Sequence, residues 1–142
     1  MRNVFIATVA KLSVCLFMNI EFLSINHMVT RGQKIWIIID TNAQNVRTFL
    51  KAAAKDVVDA EIPGSPEEKK EPCPCFHLRK NFFFSPDWLT RHGILFNIII
   101  QQQGDLVITD GDAFHQIINT EENVTVARNL CTDVRFISRY SI

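Results

Sequence analysis

The stretch Gly104-Asp105-Leu106-Val107-Ile108-Thr109-Asp110-Gly111-Asp112-Ala113-Phe114-His115-Gln116-Ile117-Ile118-Asn119 reads as two short strands joined by a tight acidic turn. Leu106, Val107 and Ile108 form a β-prone run, and Asp110-Gly111-Asp112 supplies residues that tolerate positive φ. The return strand begins at Phe114 and carries His115. A lone histidine on a strand is commonly a packed core residue, but one fixed beside a rigid hairpin is also how a β-barrel presents a metal ligand. Both readings stand at this point.

The neighbouring sequence extends the β pattern. Strands are predicted at residues 94–101, 105–109, 114–118 and 123–129, separated by Gly104, Asp110-Gly111 and Glu121-Glu122, which describes an antiparallel meander. Residues 20–29 have strand length, Arg31-Gly32-Gln33 makes a turn, and the β-branched run at 34–39 suits a buried strand. Asp40 or Thr41 can cap a helix beginning near Asn42 and ending near Val58, with Val46, Phe49, Leu50 and Ala53 at helical spacing. Ser85-Pro86-Asp87 combines a hydroxyl cap, an early proline and an acid near the positive dipole end, and Gly93 stops the short helix it opens. Prolines and charges concentrate at 62–74, which reads as a mobile surface loop inserted into the domain. The fold class is mainly β with two helices.

With 142 residues, 47% of them hydrophobic, the chain suits one domain with a real core, spanning 1–142. Fifteen basic residues balance fifteen acidic ones, so no global field draws the protein to nucleic acid or an anionic membrane. Any chromatin contact would need local surfaces. The cysteines, Cys15, Cys73, Cys75 and Cys131, lack the density of a small secreted scaffold and read as reduced thiols of an intracellular protein. Residues 1–10 imitate a secretory signal, with a basic residue followed by an apolar run, but Lys11 interrupts it early. The competing reading makes 4–9 and 12–18 buried strands. Asn123-Val124-Thr125 is a formal glycosylation sequon that an intracellular protein would use only as a turn.

The order Gln101-x-x-Gly104-Asp105-Leu106-Val107-Ile108-Thr109, Ala113-Phe114-His115-Gln116-x-x-Asn119 and Asn123-Val124-Thr125-Val126-Ala127-Arg128-Asn129 resembles the C-terminal strands of a JmjC domain. Ser24-Ile25-Asn26 followed by Gly32-Gln33-Lys34-Ile35-Trp36 resembles the S-I-N…G-x-x-K-x-W segment of JmjC histone lysine demethylases, with one residue moved across the glycine. Ser85-Pro86-Asp87-Trp88-Leu89 through His92-Gly93-Ile94 resembles their S-P-x-x-L…x-G-I helix. These landmarks keep the family's order over most of residues 20–131. The resemblance implies a double-stranded β-helix, the cupin-like jelly roll, and a nuclear, Fe(II)- and 2-oxoglutarate-dependent dioxygenase acting on histone tails or chromatin proteins.

Such an iron site needs two histidines and one carboxylate, two of them from an H-x-D/E pair whose alternation places both ligands inside the barrel. The resemblance puts that pair at Leu16-Phe17-Met18, where Leu16 and Met18 are apolar, and no H-x-D or H-x-E occurs in the chain. Glu21 has the opposite parity to residues 16 and 18 and makes a poor substitute. His115 therefore stands alone as the resemblance's iron ligand, with Asp110 and Asp112 in the preceding turn as oxygen ligands in principle. On the cosubstrate side, Lys34 and Asn26 match the family's contacts to 2-oxoglutarate. A lysine amid Ile35, Trp36 and Ile37 needs an anionic partner if buried; otherwise its ammonium lies in water at the strand start. Ala127 and Asn129 align with the demethylase substrate pocket, where Ala127 removes a polar contact that part of the family makes with serine. The family tyrosine that binds 2-oxoglutarate, and any JmjN segment, would precede Met1. Cys73 corresponds to a zinc-ligating cysteine of some demethylases, but Arg79 stands where a histidine is expected and the other two cysteines would lie beyond Ile142, so Cys73, Cys75 and His77 are not expected to hold zinc.

Three readings follow. The chain is a degenerate JmjC domain that binds a ligand or partner without turnover. Or it is an active oxygenase, histone-directed in the family manner, whose first two ligands come from a shifted register or a partner chain. Or residues 1–18 belong to a truncated or mispredicted product lacking the true H-x-D/E exon.

Overall fold

The computed structural model describes residues 3–7, 23–61 and 82–130. Its strands are β1 (Asn3–Ala7), β2 (Leu23–Met28), β3 (Lys34–Ile39), β4 (Phe96–Gln101), β5 (Leu106–Thr109), β6 (His115–Asn119) and β7 (Asn123–Leu130), with helices α1 (Ala43–Glu61) and α2 (Pro86–Arg91) between β3 and β4. They form two sheets, ordered β1-β7-β2-β5 and β4-β3-β6, and every pairing is antiparallel. This is the jelly roll that the family resemblance implies, and the expectation of a mainly β fold with two helices is met.

The local connections correct the meander. No two consecutive strands from β4 to β7 pair with each other; the chain alternates between sheets, β4 and β6 flanking β3 while β5 and β7 flank β2. Asp110-Gly111-Asp112 is thus a crossing between sheets and not a hairpin turn. It closes with Ala113 N–H donating to Asp110 O at 3.1 Å and Gly111 N–H donating to the Asp110 carboxylate at 2.8 Å. The positive-φ glycines among the described residues are Gly32, Gly93 and Gly104, so Gly111 uses an ordinary conformation. Turn chemistry is the same for a hairpin and for a short sandwich crossing, and only the pairing partners distinguish them.

β3 has burial on both faces. Ile37 and Ile39 point to the helices and join Phe49, Ala53, Phe84, Leu89, Ile94 and Phe114 in the apolar core. Phe49 meets Phe84 edge-on with centroids 5.4 Å apart, a favoured aromatic geometry. Lys34 and Trp36, of the other parity, face the second sheet. That two-sided burial is why the run is almost uninterruptedly β-branched and why it carries two polar residues on one side.

Helix α1 begins one step later than expected. Asn42, not Asp40 or Thr41, is its cap, accepting from Gln44 N–H at 2.9 Å and Asn45 N–H at 3.4 Å, while Asp40 accepts from Asn42 N–H at 2.8 Å. The helix also runs past Val58 to Glu61. Asn45 is buried and ties the helix to the entrance of β4, donating to Asp40 O and Leu95 O and accepting from Leu95 N–H at 2.7 Å. Helix α2 starts as expected, with Ser85 Oγ accepting from Trp88 N–H at 3.1 Å, and Gly93 follows its end at φ 65°. The predicted loop at 62–74 lies outside the described residues.

Two glycines fix the ends of the strands. Gly104, at φ 90°, lets the turn after β4 dock on β2, its N–H donating to Met28 O at 2.8 Å. Gly32, at φ 130°, lies against the turn before β7, where a Cβ would run into Glu122 O and come within 2.9 Å of Asn123 Cβ. Both positions pay the conformational penalty of a side chain, but only Gly32 adds a collision with backbone. Gly32→Ala is therefore expected to lose about 2–4 kcal/mol of stability and Gly104→Ala about 1–2 kcal/mol. Urea unfolding of the two variants checks the order, and equal losses would contradict the close approach.

Candidate functional site

The candidate site lies between the sheets, where residues of one parity from five strands converge. From β3 and β4 come Lys34, Trp36 and Gln101; from β6, His115 and Asn119; from β2 and β7, Asn26, Asn123 and Thr125. All of these are buried.

Gln101 holds the wall together. Its side-chain oxygen accepts from Trp36 Nε1–H at 2.9 Å, and its Nε2 donates to Asn26 O at 3.0 Å and Asp105 O at 3.2 Å. One amide thus binds β4 to β3 in its own sheet and to β2 across the barrel, with every bond made in a low-dielectric interior where loss would be costly. Asn123 does the equivalent at the start of β7, donating to Asn119 Oδ1 at 3.1 Å and Glu121 O at 2.9 Å. Its burial and these bonds give the formal sequon a structural role in a strand, in place of the expected turn.

Lys34 is 5% exposed, which removes the reading with its ammonium in water. Nζ donates to Thr125 Oγ1 at 2.9 Å, from one sheet to the other. No carboxylate of the described residues neutralises it, and burial alone lowers its pKa from 10.5 to about 8. Asn26 is also inside, with Oδ1 buried and lacking a hydrogen-bond partner among the described residues. A buried ammonium with no carboxylate beside it among the described residues would be completed by a small anionic ligand, to which the Asn26 oxygen as placed offers no donor. Rotation of the Asn26 amide would present donors in place of that oxygen. Neither Gln101 nor Thr125 was foreseen; a glutamine and a threonine on alternating strands carry no signal in sequence until their cross-sheet partners are known.

His115 faces inward, as expected. Its ring is 3% exposed and lies 5.5 Å from the Trp36 ring, centroid to centroid. Nδ1 is 3.0 Å from Ala113 O, and because a carbonyl only accepts, the neutral ring carries its proton there and its lone pair on Nε2. Burial lowers the His115 pKa below 6.5, an effect that the Ala113 contact opposes. That tautomer suits a metal ligand, but the rest of the set does not assemble. Among the described residues no three His, Cys, Asp or Glu side chains group to hold a metal, and Asp110 and Asp112 are exposed on the crossing. Among the described residues, the side chains around His115 do not complete an iron site. Leu16, Met18 and Glu21, and the Cys73, Cys75, His77 and Arg79 cluster, lie outside the described residues.

Ala127 is half-buried beside Asn26, its register partner, and Asn129 is exposed opposite Ser24. The two residues assigned to a substrate pocket therefore sit on one strand but differ in exposure. No helix among the described residues is long and apolar enough to cross a membrane.

The family model of the JmjC domain, hydroxylase, matches residues 19–130. The chain belongs to the JmjC family. That match covers β2 to β7 and both helices, so the jelly roll is that of a JmjC domain, a cupin-type fold whose members typically use Fe(II) and 2-oxoglutarate.

The buried groups of this JmjC domain make its stability depend on pH. Between pH 8 and 10.5 the unfolded chain still holds the Lys34 proton that the folded chain has released, so stability rises across that window. For His115, the neutral ring's contribution is complete above 6.5 and declines as pH falls below it, because the unfolded chain takes up its proton first. Lys34→Met is expected to abolish the alkaline rise and to raise Tm at neutral pH by several degrees, on the order of 1 kcal/mol or more. Thermal melts at neutral pH and across the alkaline window test this; an unchanged Tm would show that the ammonium is already neutralised.

Proposed function

We propose that this JmjC domain binds 2-oxoglutarate, or a dicarboxylate of the same length, without turning it over. The observation that carries the reading is Lys34: a buried ammonium whose only hydrogen-bond partner among the described residues is a neutral hydroxyl. A ligand carboxylate placed beside it would supply the missing charge and gain from the low dielectric. The Asn26 amide, whose buried oxygen has no partner among the described residues, would turn its NH2 toward such a ligand. Absence of turnover follows from chemistry at the metal positions. One imidazole does not hold Fe(II) against water, and Leu16 and Met18 supply no nitrogen or carboxylate where the family resemblance expects them.

A second reading, an active oxygenase drawing its other ligands from a different register or a partner chain, is favoured by His115, whose ring is inward and fixed in the ligating tautomer. On that reading the substrate is a histone-type lysine peptide in the nucleus, as the resemblance implies.

Isothermal titration with 2-oxoglutarate under chelating conditions separates the two proposals from a chain that binds nothing. Wild type is expected to bind with proton uptake near pH 8, since a carboxylate beside Lys34 raises its pKa. Lys34→Ala is expected to lose about tenfold or more in affinity. With Fe(II) added, wild type is expected to release no succinate, and the Leu16→His, Met18→Glu double variant to release it. Turnover by wild type would overturn the non-catalytic reading, and no binding at any pH would overturn the ligand itself.

A further inference from the structure

We infer that Thr125 is the positioning residue of the anion site: its oxygen holds the Lys34 ammonium in place, and its own hydroxyl proton is directed to the ligand carboxylate. The inference rests on the cavity being a dicarboxylate site. It concerns a residue that the family resemblance leaves unassigned.

Thr125 is fully buried on β7 and accepts from Lys34 Nζ at 2.9 Å, joining positions 91 residues apart. An ammonium has three protons to give and no lone pair, so the hydroxyl is the acceptor here and keeps its own O–H to donate. Donation from a cation polarises that O–H and strengthens whatever bond it makes next. Threonine is branched at Cβ and stiff at χ1, so the oxygen is held without the rotamer loss that a longer polar side chain would suffer.

Among the described residues, the buried side chains that titrate are Lys34 and His115, and His115 lies at the opposite end of β6. Lys34 stands between Gln101 of β4 and Asn119 of β6 in its own sheet, and Thr125 is the register partner of Met28 on β2. None of Gln101, Asn119, Met28 or Asn26 titrates, and Gln101 and Asn119 are engaged with Trp36 and Asn123. A carboxylate entering the cavity meets one cation and one polarised hydroxyl on opposite sheets. That two-point grip fixes the orientation of the carboxylate as well as its charge. Without the hydroxyl, the ammonium would lose its only described partner and swing freely on four methylenes.

The test is titration of the full chain with 2-oxoglutarate at pH values on either side of about 8, for wild type, Thr125→Val, Thr125→Ala and Thr125→Ser. Far-UV circular dichroism and Tm confirm that each variant folds. Thr125→Val keeps the shape and removes the hydroxyl; it is expected to weaken binding about tenfold or more and to move the pH at which binding is lost downward. Thr125→Ala is expected to follow it, which keeps the question open to measurement if valine does not fold. Thr125→Ser is expected to restore both affinity and pH midpoint. A residue that merely filled the core would leave the midpoint unchanged in Val and Ala. Wild-type affinity and midpoint in a folded Val or Ala variant would overturn the role of Thr125 while leaving the dicarboxylate reading intact, whereas failure of wild type to bind would remove both.

Discussion

The contact between the Lys34 ammonium and Thr125 Oγ1 is the constraint around which the polar interior between the sheets is arranged. It brings a charge into the space between two sheets and leaves it without a counterion among the described residues. A strand in that position would ordinarily carry only apolar residues inward, because an isolated buried charge costs several kcal/mol. Here β3 separates its tasks by parity. Ile37 and Ile39 supply the apolar seam against the helices, and that seam holds the strand firmly enough for the opposite face to carry Lys34 and Trp36. The polar face is then kept in register by amides, chiefly Gln101, whose three bonds reach β2, β3 and the turn that precedes β5.

Much of this architecture was legible before any coordinates. The β-branched run of β3, the Ser85-Pro86-Asp87 start of α2 and all four C-terminal strands lie where periodicity and turn residues put them. What failed was the inference from neighbouring strands to paired strands. Val107 and Thr109 are buried while Leu106 and Ile108 are exposed, a clean alternation that says one face is covered but not by which sheet. The cap of α1 moved to Asn42 for a related reason: several side chains near a helix start can accept the same N–H groups, and the choice falls to whichever the strand end leaves closest. Lys34 and His115 could be named from sequence, and both are buried between the sheets, which for Lys34 decides between the two orientations the sequence left open. Thr125, Gln101 and Asn45 could not, because each acts through partners 50 or more residues away.

The barrel sets Lys34 and His115, the two inward residues that the resemblance assigns to anion and metal, at opposite ends of one strand pair. Lys34 pairs with Asn119 at one end of β6, while His115, four positions earlier, pairs with Ile38 at the other. The first end draws its chemistry from β3 and β7 and its support from β2 and β4, all of which belong to the described fold. For the second, the family resemblance looks for two further ligands at positions 16 and 18, where the sequence has leucine and methionine. Among the described residues the side chain that holds the Lys34 ammonium is Thr125, so an anion pocket at the first end would draw on β3 and β7 whatever ligands stand at the second.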